Sequence, residues 1–92
     1  MTKKTNLLDL NKPIKDLDGK EIEGSNLGKL VAQMLVTATK GDALKYMAWA
    51  LKLHNQESLD LDPSDKETLK NFIKDHEQLT ILSKAQILEC FN

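Results

Sequence analysis

The chain has no arginine: all 13 basic residues among its 92 are lysine. Arginine is the usual residue for bidentate recognition of phosphate and of guanine edges, so its absence counts against sequence-specific reading of DNA. A single cysteine, Cys90, rules out an intrachain disulfide and leaves no zinc-ligand spacing, which fits a reducing compartment. Aromatic residues are few, with one Trp, one Tyr and two Phe, so the core must be built mainly from Leu, Ile, Val, Met and Ala. The longest apolar stretch, Leu27 to Ala38, is interrupted by Lys29 and Gln33 and is too short to span a bilayer. No signal-peptide core follows the charged start M-T-K-K-T-N. A soluble, cytoplasmic protein with no membrane association is the expectation. G-x-G-x-x-G, P-loop, G-x-S-x-G and H-E-x-x-H motifs are all missing, so neither an enzyme nor a cofactor or metal is expected.

What is present describes one small domain over residues 1–92, with 1–6 flexible. The chain is 40% hydrophobic and 29% charged, too apolar for a disordered segment, and carries a net charge of −1. Such a balance gives no general pull toward nucleic acid or anionic membrane.

The pattern predicts an α+β fold that is mainly helical. Leu7 to Leu10 reads as a short strand. Residues 14–23, with Asp18-Gly19 as the turn, read as a β-hairpin. A three-residue loop, Leu17 to Gly19, pairs Ile14 with Ile22 and Asp16 with Lys20. That register is preferred because it matches an apolar pair and an opposite-charge pair. Four helices follow, at about 26–40, 42–55, 63–76 and 79–91. Ser25 or Asn26 caps the first, Asp42 the second and Asp62 the third, with Pro63 at its first position and Gly41 closing the first helix. Leu27, Leu30, Val31, Met34, Leu35 and Ala38 mark the buried face of the first helix. Leu59-Asp60-Leu61-Asp62 alternates, and either adds a strand to the hairpin or pins a loop. Leu69, Phe72, Ile73 and His76 face the core from the third helix, and Ile81, Ala85, Leu88 and Phe91 from the fourth.

The second helix, D-A-L-K-Y-M-A-W-A-L-K-L-H, is apolar around most of its girth and is expected at the centre of the fold. Ala43, Leu44, Met47, Ala50, Leu51 and His54 share its broad apolar face, widened by Tyr46 and Leu53. Trp49 then falls on the wet side, among Lys45, Lys52 and Gln56. Two readings of Trp49 follow. Either the hairpin or the fourth helix folds over it, or Trp49, with Tyr46 and Leu53 beside it, anchors a protein partner or a second copy in a homodimer.

Weaker constellations have plainer explanations. Lys66, Lys70 and Lys74 line one face of the third helix and would track phosphates in a variant helix-turn-helix, the alternative function. Acids surround them, however, and the chain from Asp42 onward carries 6 lysines against 9 acids, which describes a solvated helix face. Asp60 to Ser64 starts like a calcium loop but lacks its glycine and closing glutamate. His54 and His76 sit at helix ends, where they complement the dipole. Lys84 falls among Ile81, Ile87, Leu88 and Phe91, where its stem covers apolar surface.

The order D-L-D-G-K-E-I-E, K-G-D-A-L-K-Y-M-A-W-A, L-D-L-D-P-S-D and S-K-A-Q-I-L-E resembles small uncharacterised proteins encoded in phages and prophages of bacteria, from Leu7 onward. The resemblance implies a non-enzymatic accessory or assembly protein acting by protein–protein interaction in the host cell or on the virion. It assigns no functional residues.

Overall fold

The computed structural model describes residues 7–91; the expected flexible stretch over 1–6 lies outside them. Its elements run β1 (Leu7–Leu8), α1 (Leu27–Thr37), α2 (Ala43–His54), β2 (Leu59–Asp60), α3 (Pro63–Lys74) and α4 (Ile81–Glu89). The architecture is mainly helical with a small β component, as the pattern predicts.

Alternation explains the sheet. Leu8 and Leu10 on one segment, and Leu59 and Leu61 on the other, all point inward, while Asp9 and Asp60 stay wet. β1 and β2 pair antiparallel, with Leu8 opposite Leu59 and Leu7 opposite Asp60. The Leu59 strand therefore pairs with the amino-terminal strand rather than with the hairpin.

The hairpin has the expected register. The Ile22 amide donates to the Ile14 carbonyl and the Asp16 amide to the Lys20 carbonyl, with Lys15 opposite Glu21 between them. Gly19 takes the turn position at φ +84°, and the Asp16 carboxylate accepts from the amides of Asp18 and Lys20. Because Lys15 sits between the two bonded pairs, its own amide and carbonyl point away from the partner arm. Gln86 on α4 takes both: its Oε1 accepts from the Lys15 amide at 2.9 Å and its Nε2 donates to the Lys15 carbonyl at 2.7 Å. A side-chain amide thus does the work of a third strand for a ribbon too short to stand alone. Gln86→Ala is expected to cost about 1–2 kcal/mol and to raise hydrogen exchange at Lys15 selectively. Unchanged exchange there would contradict this anchoring.

All four helices start on a side-chain cap: Asn26, Asp42, Asp62 and Thr80 accept from the amides of Lys29, Lys45, Asp65 and Ser83. α1 ends at Thr37, earlier than expected, where the Thr37 hydroxyl donates back to the Gln33 carbonyl. Gly41 therefore belongs to the α1–α2 loop and not to the α1 cap. α2 ends in a Schellman motif: the Gln56 amide donates to Leu53 and the Glu57 amide to Lys52. Gln56 holds the left-handed position at φ +64°, where a Cβ is costly. Gln56→Gly is expected to stabilise the protein by about 1 kcal/mol, read as a higher urea midpoint. A lower midpoint would contradict it.

α1, rather than α2, is the central helix. It buries Leu27, Gly28, Val31, Ala32, Met34 and Leu35, packs most extensively against α2 and also touches α4. α3 buries Leu69 and Ile73 as expected. α4 is rotated from the expected face. Ile81 is 83% exposed and Ala85 is exposed, whereas Phe91 is buried and Leu88 half-buried as expected, and Ser83 and Ile87 are buried beside them. Two polar contacts flanking Ile87 fix that rotation. Gln86 reaches Lys15 on one side, and on the other the Lys84 ammonium donates to the Lys74 carbonyl that ends α3.

Candidate functional site

Periodicity alone leaves α2 free to turn either way, and the aromatic side chains decide it. Trp49 is 8% exposed and Leu53 fully buried, with the half-buried Tyr46 beside them. The rings of Tyr46 and Trp49 stack at 5.7 Å, Phe72 of α3 meets Tyr46 edge-on at 5.3 Å, and His76 meets Phe72 at 5.8 Å. Burying the indole removes more apolar surface from water than burying Leu44 or Met47 would. The three residues considered as partner anchors, Trp49, Tyr46 and Leu53, are thus committed to internal packing. For Trp49 the structure adopts the intramolecular alternative.

With Trp49 inward, most of the face expected to be buried is turned out, although Ala50 stays buried. Leu44 is 86% exposed, Leu51 52%, and Met47 and Val36 48% each. Val36 of α1 joins them into one surface because it lines two adjoining clefts. One cleft also holds Leu44, Met47, Thr39 and Lys40. The other holds Leu51, Lys29, Gln33 and His54. The remaining large exposed apolar side chains, Leu7, Leu17, Ile22 and Ile81, lie on other segments. On the opposite flank of α2, Lys45 pairs with Asp65 of α3 at 2.8 Å, and that hydrogen bond and charge hold its ammonium above the usual lysine range.

The other candidate residues do not converge. His54 lines the Lys29 cleft, whereas His76 lines a separate one with Tyr46, Phe72, Asp75 and Glu77. Among the described residues, no group of three or more His, Cys, Asp or Glu is arranged to hold a metal ion. Asp62 accepts from the Asp65 amide, the capping role rather than a calcium ligand. Cys90 is half-buried beside the hairpin, and burial pushes its thiol up despite Lys12 nearby. On α3, Lys66 and Lys70 are half-buried and Lys74 is exposed. Gln86 and the Val36–Leu44–Met47–Leu51 surface were not singled out in the sequence. The surplus of apolar residues on α2 was the one signal for the latter.

Among the described residues, no helix is long and apolar enough to cross a membrane. No family model, curated protein or solved structure matches the chain. That corrects the phage or prophage assignment, which no relative supports and which is dropped; an interaction role has no relative behind it either. A functional reading has to rest on the surface itself.

Proposed function

We propose that the protein is a non-enzymatic docking module that receives a partner on the outer face of the α1–α2 hairpin. One observation carries this reading: Val36, Leu44, Met47 and Leu51 form a joined apolar surface on two neighbouring helices of a small domain. Scattered apolar side chains are ordinary on protein surfaces, whereas a contiguous group rimmed by polar residues marks a binding face. Helix pairs of this kind receive amphipathic helices in their groove. The free thiol of Cys90 supports a reducing compartment as the place of action.

The test is a shift map. An uncharged amphipathic helical peptide, with Leu at positions i, i+3, i+4 and i+7 and Gln and Ala elsewhere, is titrated into labelled protein. Amide shifts should cluster around Val36, Leu44, Met47 and Leu51. Leu51→Lys should abolish them while leaving the stability read from urea unfolding within about 0.5 kcal/mol of the parent, because the site is exposed. Shifts on another face, or none, would overturn the reading.

A further inference from the structure

Charge on and around this face identifies the kind of partner. Resting on the docking reading above, we infer that the occupant is an acidic amphipathic helix of about three turns, supplied by another protein. Between residues 27 and 54 the chain carries four lysines and one acid, although the whole chain has 13 lysines and 14 acids. That one acid, Asp42, is engaged as the α2 cap. Lys45 is paired with Asp65 on the far flank. Lys29, Lys40 and His54 rim the two clefts, no carboxylate lines either, and Lys29 and Lys40 make no ion pair among the described residues. The face is therefore apolar along its middle and cationic at its edges.

A second copy of this chain fits poorly. A two-fold contact brings the same surface against itself, so lysines would meet lysines with no acid between them. A flat anionic bilayer is also the weaker match, since the apolar side chains line clefts on either side of Val36 that receive projecting side chains. Two lysines would add only about 1 kcal/mol each at such a surface. α1 has 11 residues and α2 has 12, so the groove is roughly 16–18 Å long at 1.5 Å per residue. The complement is a helix of similar length, with apolar residues at i, i+3, i+4 and i+7 and Asp or Glu on either side.

Three peptides sharing one leucine stripe, flanked by Glu, by Gln or by Lys, separate the possibilities by fluorescence anisotropy at low salt. The Glu peptide should bind about tenfold more tightly than the Lys peptide, which two exposed ion pairs in place of two like-charge contacts supply, and the ratio should shrink as salt rises. The double variant Lys29→Glu, Lys40→Glu should reverse the preference, with its fold checked by the urea midpoint. Equal binding of all three, still lost in Leu51→Lys, would overturn the acidic partner and leave the docking face standing. Binding of none would overturn both. Two other outcomes would also overturn the inference: a doubled mass in light scattering with no peptide bound, which assigns the face to a second copy, and binding only to phosphatidylserine-containing vesicles, which assigns it to a membrane surface.

Discussion

Trp49→Ala should lower stability by about 3–5 kcal/mol, the cost of removing a large aromatic side chain from a close-packed core. For a domain of 92 residues, total stability is of order 5–15 kcal/mol, so the loss is a third or more of it across much of that range. The urea midpoint should fall by more than about 1 M. The indole stacks on Tyr46 and belongs with Leu53 to the buried cluster, and Tyr46 in turn carries the edge of Phe72. Its loss therefore loosens the junction of α2 with α3 as well as its own site. Leu44→Ala, five residues earlier and about 140° around the helix on the wet side, should change stability by less than about 0.5 kcal/mol. Equal losses at the two positions would mean that α2 faces the other way.

Gly41→Ala should cost about 2–4 kcal/mol, an unusual penalty for one methyl group in an exposed loop. Two effects combine. Gly41 has φ +112°, a conformation that residues with a Cβ avoid, and a Cβ there would lie 2.6 Å from Cε2 of Tyr46. The ring cannot easily retreat, because Trp49 and Phe72 hold it. A double-mutant cycle separates the terms: in a Tyr46→Ala background the steric part vanishes, and Gly41→Ala should cost only the backbone part, about 1–3 kcal/mol. Full additivity of the two substitutions would contradict the contact.

Much of the fold was legible because it is local. The α1 stripe from Leu27 to Leu35, the caps at Asp42 and Asp62, and the hairpin register with Gly19 at the turn each depend on residues a few positions apart. Rotation of helices about their own axes was not legible where a helix is apolar on more than one side. α2 offered two apolar faces, and ring packing against Phe72, 26 positions beyond Tyr46, selected the one with Trp49. α4 offered an Ile81–Ala85–Leu88–Phe91 stripe and, turned a little, one with Ser83 and Ile87 beside the same Phe91. The second won through Gln86, whose partner Lys15 lies 71 residues away. The candidate surface was missed for the same reason. Leu44, Met47 and Leu51 look like core until the turn of α2 is known, and only then does their flanking charge acquire meaning.

The central claim is that α2 turns Trp49 in and Leu44, Met47 and Leu51 out, and the methionines test it most directly. Met47 is 48% exposed on the proposed face, whereas Met34, on α1, is 5% exposed in the core. Oxidation by dilute peroxide, followed residue by residue with peptide mass mapping, compares them in one sample of folded protein. The structure requires Met47 to oxidise several-fold faster than Met34 and to be protected when the Glu-flanked peptide is bound. Equal rates at the two residues, or a faster Met34, would place the Met47 face of α2 inside and contradict the account.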